Sequence, residues 1–221
     1  MTGVREQSRA RTTAAILAAA RDEIAAHGGG GLSMRAVARE VGMVSSAVYR
    51  YFPTREDLLT AMILESYLGL AAALDGVRSR RPDLRWAALG RTLREWGIQR
   101  PHEFQLIYGT PVPGYVAPPE TIPAAAAVTA PFLEVAKAAE VAPFARPALV
   151  GQMSAIAEQS GASGTAVAAV IAELASLVGI VTLELGGHLV GSADPADDLF
   201  EALLRRQIET LGLAGAGEAT Q

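Results

Sequence analysis

The residues best suited to chemistry sit close together, in Ser45-Ser46-Ala47-Val48-Tyr49-Arg50-Tyr51-Phe52-Pro53-Thr54-Arg55-Glu56-Asp57-Leu58-Leu59. Small side chains, two tyrosines, two arginines and a proline stop within one short stretch suit a short helix whose polar edge reads DNA. Reading a base edge requires hydrogen-bond donors at the groove floor. Arg50, or Arg35 upstream, can offer guanine a bidentate pair worth roughly 1–3 kcal/mol of discrimination; the ordinary alternative for each is a solvated surface arginine. Val48 and Phe52, four apart and so on one helical face, are better core candidates than Tyr49, which suits a phosphate.

Other candidate chemistry is sparse. Glu184 and His188 stand four apart in an apolar stretch and could form a ligand pair, an internal hydrogen bond or an interface contact. His102 and Glu103 adjoin in sequence, so a helix would turn them apart. Without cysteine, disulfides, thiolate metal sites and cysteine nucleophiles are excluded, and three histidines make a His-rich metal centre unexpected. No Gly-x-Ser-x-Gly elbow, HExxH pair or phosphate loop is present. Catalytic residues, metal and cofactor are therefore expected to be none, and a helical enzyme or a helical interaction protein without DNA activity is the competing class.

The elements needed to position these residues follow from local signals. Arg9 to His27 has apolar Ala14, Leu17, Ala18, Ile24 and Ala25 between charges, which predicts a first helix, stopped by Gly28 to Gly31. Ser33 caps a second, on which Met34, Val37 and Val41 share one face while Arg35 and Arg39 share another. Gly42 breaks it, and Ser45 or Ser46 can cap a third helix that ends near Phe52, because Pro53 restricts the residue before it. Helix, short glycine turn, helix is the arrangement whose second helix enters the major groove. Thr54 caps a long fourth helix with Glu56 and Asp57 in its first turn and Leu58, Leu59, Met62, Ile63 and Leu70 inward.

Residues 84–99 and 101–109 read as two more helices. Residues 110–119 hold four prolines and form an ordered loop or lid. Residues 121–142 and 144–160 read as helices interrupted by Pro123, Pro131 and Pro147. Residues 165–190 are apolar nearly all round, so burial on more than one side is expected. The last helix starts at Asp194-Pro195, with apolar Leu199, Leu203, Ile208 and Leu211, and ends at Gly212. No strand pattern is visible, so the fold class is all-α.

Charge agrees with a small front part and a larger rest. The whole chain of 221 residues carries −4, yet residues 1–60 hold eight arginines against six acids and the remainder is −6. No run approaches the roughly 18–20 uninterrupted apolar residues of a membrane span. A cytoplasmic protein with no membrane partner is expected. Arg5, Arg9 and Arg11 form either an arm near DNA or a solvated, frayed terminus.

Gly31-Leu32-Ser33-Met34-Arg35-Ala36-Val37-Ala38, then Val41-Gly42, then Ala47 to Leu59 together resemble the tetracycline-repressor (TetR) family of bacterial one-component regulators. The resemblance implies an all-α homodimer with a three-helix helix-turn-helix DNA-binding domain at 1–55. A larger helical effector-binding and dimerisation domain would follow at 56–213, and a disordered tail at 214–221. It implies a repressor of a palindromic double-stranded operator, released by a small-molecule effector. By position, Arg35, Ser45, Ser46, Ala47 and Arg50 fall where the family touches bases, and Ser33, Tyr49, Tyr51, Thr54 and Arg55 where it holds phosphates. Arg55 replaces the usual lysine, keeping the charge with a more rigid fork. Trp96 to Gly109 with the proline loop resembles the WHG type of C-terminal domain.

Trp86, Trp96, Phe104, Tyr108, Tyr115, Gln152 and Met153 have the mostly apolar make-up of a small-molecule pocket, although each is also a core candidate. The homodimer is expected through the last two helices, with Gly179, Gly186 and Gly187 allowing close approach, so that charges at Leu177 or Val181 would yield monomers.

Overall fold

The computed structural model describes residues 2–214; the expected disordered tail lies, but for Ala214, outside them. Eleven α-helices succeed one another with no strand among the described residues: α1 Thr2–His27, α2 Met34–Glu40, α3 Ser45–Val48, α4 Arg55–Asp75, α5 Pro82–Gln99, α6 Pro101–Tyr108, α7 Ile122–Ala136, α8 Pro147–Gln152, α9 Ser154–Ser160, α10 Gly164–Leu185 and α11 Asp197–Thr210. The chain forms two compact units. One joins residues 2–67 to His102–Ile122, and the other joins Leu68–Pro101 to residues 123–214.

In the first unit, α1 to α4 bury Ile16, Ile24, Val37, Val48, Leu58 and Leu59, with Leu106, Ile107, Val112 and Tyr115 packed on them. Each fully buried aliphatic chain contributes about 1.5–3 kcal/mol of transfer free energy. The inward face of α1 is Ile16, Ala20 and Ile24, whereas Ala14, Ala18 and Ala25 are exposed. Alanine buries too little surface to choose a face by itself, and isoleucine chooses. The helix also begins at Thr2 rather than near Arg9.

Local signals do set the joints. The Ser33 hydroxyl accepts the Ala36 N–H at 3.3 Å, capping α2. Gly42 adopts φ 66°, and Met43 N–H reaches back to the Ala38 carbonyl at 2.8 Å, the six-to-one bond that closes a helix end in a left-handed residue. At the head of α4 the Thr54 hydroxyl accepts the Asp57 N–H at 3.0 Å, and the Asp57 carboxylate accepts the Thr54 N–H at 2.9 Å. That is a reciprocal capping box with aspartate as the third-position acid. Ser33→Ala is expected to lower stability in urea titration by about 1 kcal/mol, the usual loss for an N-cap.

The helix caps and bounds differ in detail from expectation at four places. Neither Ser45 nor Ser46 caps α3; Val44 occupies the cap position with no side-chain bond. The α-helix proper ends at Val48, after which Arg50 N–H and Tyr51 N–H make tighter bonds to Ala47 and Val48 carbonyls, 3.2 and 2.9 Å, before Phe52 returns to Val48 at 3.1 Å. Pro53 forces that tightening, because the residue before it cannot continue a helix. Residues 144–160 form two short helices rather than one, and α10 stops at Leu185.

In the second unit Trp86, Phe132, Phe200, Leu89, Leu93 and Leu177 are fully buried. A Cβ at Gly90 would stand 2.5 Å from Leu204 Cδ2, so the glycine admits α11 against α5. On α11 the inward residues are Phe200, Leu204 and Gln207, with Leu211 buried just beyond its end, while Leu199 is 42% exposed. Arg94 ties three helices: it forks onto Glu184 at 2.7 and 2.8 Å, bonds Asp197 at 3.1 Å and stacks on Phe200. The guanidinium holds the Asp197 carboxyl below its ordinary range. By length and mean hydropathy α4 and α10 pass as membrane spans, though about half of each is buried in the protein.

Candidate nucleic-acid interface

The edge built by α2, its glycine turn and α3 is polar above and apolar below. Val48 is fully buried and Phe52 nearly so, and they seat α3 on the core. On the outer side Ser46, Tyr49 and Arg50 are exposed, with Tyr49 at 45%, while Ser45 and Ala47 are half-buried. Arg35 is exposed on α2. Arg35 on α2 and Ser46, Tyr49 and Arg50 at α3 thus lie exposed on two helices that pack against each other.

The expected phosphate-holding residues are more committed to the protein. Ser33 is half-buried and engaged in its cap. The Thr54 hydroxyl donates to Asp57 Oδ2 at 2.8 Å as well as accepting from that residue's N–H. Arg55 donates from Nε to the Leu32 carbonyl at 2.9 Å and from Nη2 to the Gly29 and Gly30 carbonyls at 2.8 and 3.0 Å. Its fork therefore holds the glycine run after α1 against α4, a planar task that a lysine cannot perform in the same way. Tyr51 is half-buried, and its ring lies 5.3 Å from the Arg9 guanidinium carbon.

One exposed residue on this edge escaped sequence reasoning. Val44 is 70% exposed immediately before α3. The signal was a valine in a polar turn with no helical face to bury it. A second missed feature is Arg21, which bridges Glu65 of α4 at 3.0 Å and Glu103 of α6 at 3.7 Å within the first unit.

The seven residues proposed to line a pocket are divided between the two units. Phe104, Tyr108 and Tyr115 belong to the first unit, and Trp86, Trp96, Gln152 and Met153 to the second. Phe104 and Tyr108 rings lie 5.1 Å apart, Tyr108 meets Tyr67 edge-on at 6.2 Å, and Tyr115 Oη pairs with Thr60 Oγ1 at 2.9 Å. Burial pushes the Tyr108 and Tyr67 hydroxyls up from their ordinary pKa. In the second unit Trp86 and Trp96 are buried, Gln152 is exposed and Met153 partly so.

The Glu184 and His188 pair does not form. α10 ends before His188, which lies exposed in the following turn, and Glu184 is taken by Arg94. Among the described residues no three His, Asp or Glu side chains gather as a metal site.

Comparison with known proteins places these features in context. The family model described as bacterial regulatory proteins, tetR family, matches residues 16–62. The model described as tetracyclin repressor-like, C-terminal domain, matches residues 86–207. The HTH-type transcriptional regulator Rv1816 of Mycobacterium tuberculosis is 42% identical over 122 residues, covering 53% of this chain and 52% of that protein. The chain thus spans about half the length of the curated relatives it matches. A solved structure of the regulatory protein SCO4313 superposes with a TM-score of 0.78 at 30% identity, over 92% of this chain and 98% of that one. The TetR family transcriptional regulator PfmR from Thermus thermophilus shares the fold at a TM-score of 0.55 and 16% identity, over 86% and 97% of the two chains.

Proposed function

Because the chain belongs to the TetR family of bacterial regulatory proteins, we propose that it is a ligand-responsive transcriptional repressor that binds a palindromic operator as a homodimer in the cytoplasm. The observation that carries this is the α3 edge, with Ser46, Tyr49 and Arg50 exposed over a buried Val48. A helix this short has no stability of its own, and the α2 turn and the core beneath it supply the rigidity that base reading needs.

In this reading Arg50, Arg35, Ser45, Ser46 and Ala47 face bases, with Val44 offering an apolar contact to a thymine methyl. Tyr49 and Tyr51 face phosphates. Ser33, Thr54 and Arg55 position the edge through their caps and carbonyl bonds and reach phosphates with what donor capacity remains. Two copies would set recognition helices in successive major grooves, about 34–36 Å apart.

The dimer would form through α10 and α11. Leu177 and Val181 are fully buried within the second unit, so they cannot be the contact residues expected from sequence. On α10 Ile171 and Ala175 are exposed and Val178 and Thr182 half-exposed at helical spacing, and on α11 Leu199 is exposed and Leu203 half-exposed; this reading takes them as the stripe that a second copy covers. A small-molecule effector would act by binding the released state better than the DNA-bound one, and a shift from 1:99 to 99:1 takes roughly 5.5 kcal/mol of such preference. Of the proposed pocket residues, Tyr108 and Tyr115 in the first unit and Gln152 and Met153 in the second keep surface to meet one.

Arg50→Ala tests the reading by fluorescence anisotropy on a duplex selected by the wild-type chain from a random library. The expected loss is about 1–3 kcal/mol, roughly fivefold to more than a hundredfold, with relaxed preference at one base pair of each half-site. Unchanged affinity and sequence preference would refute base reading by this edge.

A further inference from the structure

We propose that the first turns of α1 are a second DNA-contact strip, in which Arg5 and Arg9 hold phosphates beside the base-reading edge. The proposal rests on the DNA-binding reading above and adds a surface to it.

Three observations carry it. The first is the face. Ile16 is the first fully buried residue of α1, and stepping back from it by seven and then four residues reaches Arg9 and Arg5. Seven residues is about two helical turns and four about one, so the side that buries isoleucine downstream presents guanidinium upstream. A face directed at the core would be apolar, yet residues 3–11 are all exposed.

The second observation is place. The Arg9 guanidinium carbon lies 5.3 Å from the centre of the Tyr51 ring, in the turn that joins α3 to α4. Tyr51 follows exposed Tyr49 and Arg50 directly, so Arg9 stands at the end of the base-reading edge. Stacking against the tyrosine face orients a guanidinium while leaving its N–H groups free to donate at the plane's rim. Arg5, one turn further on, extends the same line by roughly 6 Å at 1.5 Å per residue.

The third is availability. Two other arginines of the first unit are occupied, Arg55 by the carbonyls of Leu32, Gly29 and Gly30 and Arg21 by Glu65 and Glu103, while Arg35 and Arg50 lie on the base-reading edge itself. Arg5 and Arg9 form no ion pair among the described residues. With the fork of Arg55 committed inward, a duplex lying on this edge meets Arg5 and Arg9 as uncommitted cations. Arg11 points to the other side of the helix from Arg9 and serves as an internal control.

The test uses the full chain and the library-selected duplex, with affinity measured across a range of salt concentrations for wild type, R5A/R9A, R11A and R50A. R5A/R9A is expected to bind at least roughly tenfold more weakly near 0.1 M salt, to lose about 4 from the slope of log affinity against log salt, about one for each guanidinium–phosphate contact of the two protomers, and to select the same sequence. R11A should stay within about twofold of wild type, since it leaves this line of phosphates untouched. Wild-type affinity and slope in R5A/R9A, alongside lost binding in R50A, would overturn the strip and leave base reading intact. A lower melting temperature in R5A/R9A with an unchanged salt slope would reduce Arg9 to a structural partner of Tyr51 and also overturn it. If wild type retains no duplex, both readings fall.

Discussion

Trp86→Ala will cost about 3–5 kcal/mol of stability, the loss typical of deleting a fully packed large aromatic. Trp86 is fully buried, its ring meets Phe132 edge-on at 5.2 Å, and its indole N–H donates to Gln207 Oε1 at 3.0 Å. Gln207 is itself fully buried, and its amide donates to the Glu173 carbonyl at 2.8 Å. The chain Trp86–Gln207–Glu173 thus joins α5, α11 and α10 through polar atoms withdrawn from water. Gln207→Leu should cost about 2–4 kcal/mol, because the indole N–H and the Glu173 carbonyl would each lose a buried partner. The two losses should not add, since Trp86→Ala already removes one of the bonds that Gln207→Leu breaks. Urea titration of the single and double variants measures both effects. A loss below about 1 kcal/mol for Trp86→Ala would mean that the side chain borders open space, as a ligand wall does, rather than a filled core.

Ile171→Glu combined with Val178→Glu will convert the proposed dimer to monomer. Both residues lie on the α10 stripe that a second copy would cover, with Ile171 40% exposed in the single chain. Burying two carboxylates against their symmetry copies is unfavourable by desolvation and by like-charge repulsion, and an isologous interface doubles every such change. Because each monomer would then hold only one half-site, operator affinity should fall by about 10²–10⁴-fold through lost bivalency. Sedimentation velocity reads the first effect and anisotropy the second. Leu177→Glu is the contrast: that residue is fully buried against α5 and α11, so it should unfold the second unit rather than separate two folded chains. A doubly charged variant that sediments as a dimer would place the interface elsewhere.

Much of the first unit was legible because its signals are local. Ser33 capping α2, the left-handed Gly42, the Thr54–Asp57 box and the stop at Pro53 each act over fewer than six residues, and each forms. The α4 face of Leu58, Leu59, Met62, Ile63 and Leu70 was readable for the same reason, since large aliphatic residues at helical spacing leave one solution. The alanine-rich stretch of α1 offered several faces of nearly equal merit: Leu17 and Ile24 of the expected face are buried, but Ala14, Ala18 and Ala25 are exposed and Ile16 and Ala20 take the core instead. For the last helix the reading favoured Leu199, Leu203, Ile208 and Leu211; of these Leu211 is buried, and the fold otherwise buries Phe200, Leu204 and a glutamine. A buried glutamine is favourable only when its partners are known, and Trp86 lies 121 positions away in the chain.

The sequence by itself determined the helices, most of their ends, the polar edge of α3 and the family to which the chain belongs, because caps, prolines, glycines and periodicity are properties of neighbouring residues. The tertiary structure alone decided how the arginines divide their work. Arg55 is spent on carbonyls 23 to 26 positions away, Arg21 on Glu65 and Glu103, and Arg94 on Glu184 and Asp197, whereas Arg5 and Arg9 form no ion pair among the described residues. A guanidinium reaches several ångströms and accepts any carboxylate, carbonyl or phosphate that folding brings within range, so its residue type announces a capacity and only the packed chain selects the partner.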